Sequence, residues 1–90
     1  MLLNNKEYAA RWRERNSKLS PKKRVASLSK RELEVAKMVV GEAYNKEISD
    51  ALGISIKSVE YYRYVAYAKL GANHPIGIFR TLARAGVVKL

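Results

Sequence analysis

The segment SVEYYRYVAYAKLG, residues 58 to 71, concentrates four tyrosines within seven positions and includes one carboxylate. The side chains concerned are Tyr61, Tyr62, Tyr64, Tyr67 and Glu60. A phenol combines a flat apolar ring with a hydroxyl that donates and accepts hydrogen bonds, and a carboxylate accepts them. The chain has no Cys and a single His, and no nucleophile with an adjacent base or glycine-rich phosphate loop is evident. These side chains therefore predict a binding surface, with no enzymatic activity, metal or cofactor.

A helix through this segment divides the tyrosines between two sides. Val59, Ala66 and Leu70 follow one another at i, i+7 and i+11, which predicts a stripe that faces the core. Tyr62 lies at the edge of this stripe, and we expect Tyr67 to pack towards a neighbouring helix. The opposite side, which is expected to face outwards, carries Lys57, Glu60, Tyr61, Tyr64 and Ala68.

Capping signals predict four helices from residue 28 onwards and no strand. The first helix begins at a capping box of Ser29 and Glu32, with Leu28 and Leu33 as its hydrophobic staple, and ends at Gly41. A short second helix lies between Asn45, its expected cap, and Gly53, and a third of about 56–70 lies between Ser55 and Gly71. The fourth helix is capped by Asn73 or His74, starts at Pro75 and ends near Gly86. The short helix, the glycine turn and the longer helix have the outline of a helix-turn-helix unit. The expected fold class is all-α: a four-helix bundle preceded by a basic, partly helical arm.

Positive charge is unevenly distributed along the 90 residues, whose net charge is +10. Residues 1–27 hold eight basic and two acidic groups, a net +6, and the other 63 residues hold ten and six, a net +4. We therefore divide the chain into a basic arm and linker at 1–27 and one small domain at 28–90. Within the arm, 5–16 favours a short helix, and 17–27, with Pro21 and adjacent cations, indicates a linker.

A charge of this size usually meets a polyanion, and nucleic acid is the first candidate. The arm then has three open interpretations: it extends contacts to phosphates, it docks on the domain through Tyr8 and Trp12, or it contacts another protein through these two residues. A lone Trp is costly to leave in water, so we expect Trp12 to be covered. Because no apolar run approaches about 18 residues and no signal segment is evident, we expect a soluble, intracellular protein.

Several blocks of the sequence resemble the LuxR/GerE-type (NarL-type) helix-turn-helix domain of bacterial transcription regulators. The blocks are LSKRELEV, NKEIS, LGIS, KSV, KLG and LARAGVV, and together they span residues 28–88. The resemblance implies a four-helix bundle whose third helix reads the major groove and whose fourth helix forms a two-fold dimer. Tyr62 and Ser58 stand where the family most often has His and Thr, and Glu60 stands where a basic residue is frequent. The resemblance to this family also implies a cytoplasmic, nucleoid-associated protein encoded by a bacterium or a bacteriophage.

The candidate site residues fall into three groups. The predicted base contacts are Glu60, Tyr61 and Tyr64; the predicted phosphate contacts are Lys46, Lys57, Ser58, Arg63 and Lys69; and the predicted dimer interface comprises Ile76, Phe79, Leu82 and Ala83. Each group has a simpler alternative. Among the base contacts, the outward tyrosines can lie along the protein surface, and Glu60 can pair within its helix with Arg63 or Lys57. Among the phosphate contacts, a lone lysine such as Lys69 can be merely solvated. The apolar side of the fourth helix can be ordinary core.

The function predicted from these residues is that of a stand-alone, sequence-specific, DNA-binding transcriptional regulator that acts as a homodimer. Two alternatives remain open. The first is an interaction protein that pairs with other regulators, or with another target, and titrates them; Glu60 in the outward row supports this alternative. The second is a non-specific nucleic-acid binder, which the net charge of +10 permits. We expect no small-molecule ligand.

Overall fold

The computed structural model describes residues 4–88 and contains six α-helices. They are α1 (Asn5–Asn16), α2 (Pro21–Ala26), α3 (Lys30–Val40), α4 (Asn45–Leu52), α5 (Ile56–Leu70) and α6 (Pro75–Arg84). No strand occurs between residues 4 and 88, so the all-α prediction is confirmed. Within the same range, no helix combines the length and the apolar composition that crossing a membrane requires.

A single hydrophobic core joins helices α3 to α6. It comprises Val35, Ala36, Val39, Ile48, Val59, Ala66, Leu70, Ala72, Ile78 and Leu82. The predicted stripe of α5 supplies three of these residues, and Tyr62 and Tyr67 pack against the cluster while remaining partly exposed, as expected. Full burial of one large aliphatic side chain contributes about 1.5–3 kcal/mol, so this cluster is what holds α5 in place.

The capping box predicted for α3 is present. The Ser29 hydroxyl accepts a hydrogen bond from the Glu32 N–H at 3.1 Å, and Glu32 Oε1 accepts one from the Ser29 N–H at 2.9 Å. For α4, however, the N-cap is Tyr44 and not Asn45, which is the first helical residue. The reason is that Glu47 reaches back three residues, and its carboxylate accepts the Tyr44 N–H at 2.7 Å.

Residues 17–27 do not form the linker that we predicted. Pro21 begins helix α2, and Ser20 is its N-cap, with extended backbone and a hydroxyl that accepts the Lys23 N–H at 3.3 Å. The restriction that proline imposes on the preceding residue is satisfied because an N-cap residue is itself extended. A proline that suggested a break therefore starts a short helix, which packs against α5 and α6.

Arg24 ties the turn between α1 and α2 to the end of α5. Its guanidinium donates to the carbonyl oxygens of Leu19 at 3.0 Å, Ser17 at 2.9 Å and Leu70 at 3.3 Å. The group lies directly beside Gly71, where the chain leaves α5 with a left-handed φ of 67°. The left-handed φ favours glycine here, and a Cβ at this position would in addition displace the end of the Arg24 side chain.

Candidate nucleic-acid interface

Helices α4 and α5 form a helix-turn-helix unit. The turn begins at Gly53, which takes a left-handed φ of 65°, and is closed by the Ile54 N–H donating to Ser49 O at 3.1 Å. Ser55 then starts α5, because its hydroxyl accepts the Ser58 N–H at 3.0 Å. Ile48 is fully buried and fixes α4 against the core, so the turn presents the beginning of α5 at the surface.

Two of the three predicted base-contacting residues are open to solvent. Glu60 is exposed and forms no ion pair with another residue of the described range 4–88. The Tyr64 side chain, one turn further along α5, is 43% exposed. Lys57 is also exposed and precedes Glu60 by three positions. These three side chains form a polar strip that runs from the first to the third turn of α5.

The third, Tyr61, does not face solvent freely as predicted. Its ring stacks on that of Tyr8 from α1, with centroids 6.1 Å apart and planes inclined by 20°. The edge of Tyr62 lies against it on another side, at 5.4 Å. Burial raises the pKa of the Tyr61 hydroxyl above its ordinary value, and proximity to the Tyr8 phenol raises it further. Tyr61 therefore keeps its proton at neutral pH and remains a hydrogen-bond donor.

Helix α1 covers much of the outward side of α5, and the contact between these two helices is the most extensive in the structure. Val65 and Ala68 lie on the side of α5 away from the core stripe, yet both are buried. Ala9 of α1, 6% exposed, is buried as well. Neither Val65 nor Ala68 belongs to the main core cluster. α5 is consequently enclosed between the four-helix core on one side and α1 on the other.

Polar contacts fix the direction of α1 along α5. The Asn16 amide donates to Lys69 O at 3.0 Å, and the Arg13 guanidinium donates to Ala72 O at 3.0 Å. Since Tyr8 lies near the start of α5 and Asn16 near its end, the two helices run in the same direction. The interpretation in which the arm docks on the domain through Tyr8 and Trp12 is the one that this structure supports.

Lys69 is neither a phosphate contact nor a solvated side chain in this structure. It is only 5% exposed, and its ammonium donates to Glu32 Oε1 at 2.7 Å and to Ser27 O at 2.9 Å. The ring of Trp12 closes the site from the α1 side, with its centroid 4.1 Å from Lys69 Nζ. The prediction of Lys69 as a phosphate contact is corrected on this ground, because its charge is directed inwards to a buried carboxylate.

The remaining predicted phosphate contacts stay near the surface. Lys46 and Lys57 are exposed in the first turns of α4 and α5. Ser58 is half-buried, and its hydroxyl accepts a hydrogen bond from that of Ser55. Arg63 is half-buried and donates to the Tyr67 hydroxyl at 3.3 Å. An open groove of about 690 Å³ runs between α1 and this side of α5.

The four residues predicted for a dimer interface have different positions in α6. Leu82 is 0% exposed and belongs to the core, so it is removed from the surface. Phe79 and Ala83 are half-buried. Ile76 is 66% exposed and is the most open apolar side chain of the helix. The apolar surplus of α6 that the sequence suggested is therefore smaller than expected, since part of it is ordinary core.

Ala9 and Val65 were not singled out from the sequence, and Ala68, which was expected to face outwards, is 1% exposed because α1 lies over it. A signal for all three exists. Val65 and Ala68 are apolar residues on the side of α5 opposite its core stripe, where a solvent-facing helix would be polar. Tyr8 and Trp12, four residues apart, form a matching apolar side on α1. Considered together, these two patterns predict a helix pair.

Comparison with known proteins identifies the family of this fold. Residues 26–81 match the family described as "Bacterial regulatory proteins, luxR family", a range that leaves α1 outside. The chain is 40% identical over 67 residues to "Transcriptional regulatory protein TdiR" of Thauera aromatica, 38% over 61 residues to "Response regulator GacA" of Pseudomonas viridiflava, and 35% over 79 residues to "Transcriptional regulatory protein FixJ" of Azorhizobium caulinodans.

These matches cover 74%, 68% and 88% of this chain, respectively. They cover only 28%, 28% and 37% of the three relatives, so the chain corresponds to about a third of each relative or less. No solved structure gives a significant match. The family match extends over more than half of the chain and coincides with the helix-turn-helix unit and its core. The chain belongs to the LuxR family of bacterial regulatory proteins.

Proposed function

We propose that this protein is a transcriptional regulator that binds double-stranded DNA sequence-specifically by inserting α5 into the major groove. The observation that carries the proposal is the exposed strip of Lys57, Glu60 and Tyr64 on the second helix of a helix-turn-helix unit. The net charge of +10 supports a polyanionic partner. The names of the relatives, which include transcriptional regulatory proteins, support the biological role.

Each side chain of the strip has a chemical role in this proposal. The Glu60 carboxylate accepts a hydrogen bond from cytosine N4, and the Tyr64 hydroxyl donates to a base acceptor while its ring lies against a thymine methyl. Tyr61 joins these contacts when its ring is uncovered. Lys46 and Lys57, at the starts of α4 and α5, bind phosphates where the helix dipoles also favour negative charge.

We further propose that two copies bind a pseudo-palindromic site through a two-fold contact between their α6 helices. Ile76 is the centre of this contact because it is the most exposed apolar side chain there, with Phe79 and Ala83 beside it. Ile76→Lys is expected to abolish the dimer, since it would place a charge at the two-fold axis. Sedimentation equilibrium with and without duplex measures the change. A mass that is dimeric for both forms of the protein would contradict this contact.

Two substitutions in the strip separate specific from non-specific binding. After selection of preferred duplexes in vitro, Glu60→Ala is expected to lose about 1–3 kcal/mol of discrimination at one base position. Lys57→Gln is expected to weaken binding to all duplexes and to lower the salt slope by about one. Fluorescence anisotropy on labelled duplexes at two salt concentrations measures both effects.

Lys37→Gln is the matched control, because it makes the same change of charge at an exposed position in the last turn of α3. If it reduced the salt slope as much as Lys57→Gln, the effect would be one of net charge and not of contact. Equal affinity for selected and random duplexes would indicate the non-specific binder. An absence of binding to every duplex at low salt would favour the interaction protein.

A further inference from the structure

Helix α1 occupies space that a DNA duplex needs. The major groove is about 12 Å wide, and one α-helix with its side chains is about 10–12 Å in diameter, so the groove admits one helix and not two side by side. A helix that reads bases must present its outward side to them. On α5 this side includes Tyr61 and Ala68, which lie against Tyr8 and beneath α1, respectively, while Lys57, Glu60 and Tyr64 on the same side remain exposed. A duplex whose groove received α5 along the Tyr61 and Ala68 side would therefore meet α1.

We propose that α1 is an autoinhibitory helix: it covers the part of the outward side of α5 that holds Tyr61 and Ala68, leaves Lys57, Glu60 and Tyr64 exposed, and has to leave before α5 can enter the major groove fully. DNA and α1 then compete for one surface, and the protein exchanges between a closed form and an open form. This inference rests on the proposed function. It assigns a role to residues 5–16, which lie outside the range matched by the family.

The contacts of α1 are suited to release without unfolding of the domain. In the described part of the chain, Ala9 is the single apolar residue of α1 that is fully buried, and Tyr8 and Trp12 are half-buried. No residue of α1 belongs to the core cluster that joins α3 to α6. Detachment of α1 thus breaks the hydrogen bonds of Arg13 and Asn16, uncovers Val65, Ala68 and the Lys69 ammonium, and leaves the core cluster of α3 to α6 intact.

In this proposal the hinge lies where α1 ends, between Asn16 and Ser17. Arg24 fixes α2 to the end of α5 through Leu70 O and also holds the carbonyl oxygens of Ser17 and Leu19. α2 therefore remains attached while α1 turns away from its position. When only a fraction of the protein is open, the apparent affinity for DNA is reduced by that fraction, so one open molecule in about ten would weaken binding about tenfold.

Electrostatics alone predicts the opposite effect for α1. Residues 5–16 hold four basic groups and two acidic groups, a net +2, which should attract a duplex. If α1 merely added positive charge, its displacement would weaken binding. If α1 is autoinhibitory, its displacement strengthens binding. The sign of the change therefore decides between the two roles.

The first test is Ala9→Gln in the full-length chain. Glutamine maintains the helix propensity and the charge, but it is too large for a buried position against α5. Trp12 is the only tryptophan of the chain, and its emission is expected to shift to the red when its ring leaves Lys69. We expect Ala9→Gln to bind the selected duplex about tenfold more tightly. The reason is that a larger fraction of the protein is open, while the affinity of the open form itself is unchanged.

Ala10→Gln is the matched control, since it makes the identical change at the next position, which is exposed. It is expected to leave both the Trp12 emission and the affinity unchanged. Tyr8→Ala, which removes the stack on Tyr61, is a second variant that acts in the same direction as Ala9→Gln. Far-UV circular dichroism confirms that each variant retains the domain.

The second test follows α1 in the unaltered protein during titration with the selected duplex. We expect a saturable red shift of Trp12 and faster hydrogen exchange of the amides of residues 8–16 in the complex. Unchanged emission and unchanged or slower exchange at saturation would show that α1 stays docked or contacts DNA, and would overturn the inference. Equal affinities of the parent and of a variant with α1 released would overturn it and leave the proposed function standing. If neither the parent nor the variant with α1 released bound DNA, both the autoinhibition and the proposed function would be overturned.

Discussion

Replacement of Lys69 by Met is expected to lower the free energy of unfolding by about 3 kcal/mol. The substitution leaves the Glu32 carboxylate buried without its cation, while the Ser29 N–H still donates to it. The methionine side chain can still fill the space beneath Trp12, so little of the loss comes from a cavity. For a chain of this size, the expected fall in Tm is on the order of 15 °C. Urea unfolding followed by circular dichroism measures the change.

The double variant Lys69→Met with Glu32→Gln separates the lost ion pair from other causes. Gln retains an oxygen for the Ser29 N–H and carries no charge, so we expect most of the lost stability to return. Lys30→Met, at an exposed position on α3, is the control for loss of a lysine and should change stability by less than about 0.5 kcal/mol. A double variant as unstable as the single one would show that the buried pair is not the source of the effect.

Gly71→Ala is expected to cost about 3 kcal/mol, considerably more than Gly53→Ala, which is expected to cost about 1 kcal/mol. Both glycines end a helix with a left-handed φ, 67° and 65° respectively, so the backbone strain of an alanine is the same. They differ in their surroundings. A Cβ at Gly53 meets nothing within 4 Å, whereas at Gly71 it displaces the Arg24 guanidinium and its three hydrogen bonds to carbonyl oxygens.

The same pair of variants in an Arg24→Ala background identifies the cause. Without the guanidinium, Gly71→Ala has nothing to displace, and its additional cost over Gly53→Ala should disappear. Equilibrium unfolding of the six proteins, the parent, the three single variants and the two double variants, measures this difference. A difference between the two glycines that persisted in the Arg24→Ala background would point to a cause other than the displaced guanidinium.

The elements of the domain that could be predicted from the sequence depend on local contacts. The capping box of Ser29 and Glu32, the cap at Ser55 and the helix end at Gly71 involve residues within a few positions of one another. For this reason the all-α fold, the boundaries of α3 and α5 and the core stripe of α5 were accessible without coordinates. The wrong prediction of Asn45 as the N-cap of α4 also has a local cause. Tyr44 is the N-cap because the Glu47 carboxylate, three residues later, accepts its N–H.

The parts of the candidate site that could not be predicted depend on distant contacts. The partner of Lys69 lies 37 positions earlier, and the Asn16 amide contacts a carbonyl 53 positions later. A helical wheel places Lys69 beside the core but cannot supply a buried carboxylate for it. The position of α1 depends on several such contacts acting together, and this is why the arm remained open among three interpretations.

The parallel course of α1 and α5 has a practical consequence for laboratory work. Because α1 and α5 are parallel, Asn4, the N-cap of α1, lies at the end of the helix pair that also holds the beginning of α5. A bulky tag fused to the N-terminal side of α1 would obstruct a duplex or displace α1 from α5. Either change would alter the measured affinity for DNA. An N-terminal purification tag should therefore be removed with a site-specific protease before binding to DNA is measured.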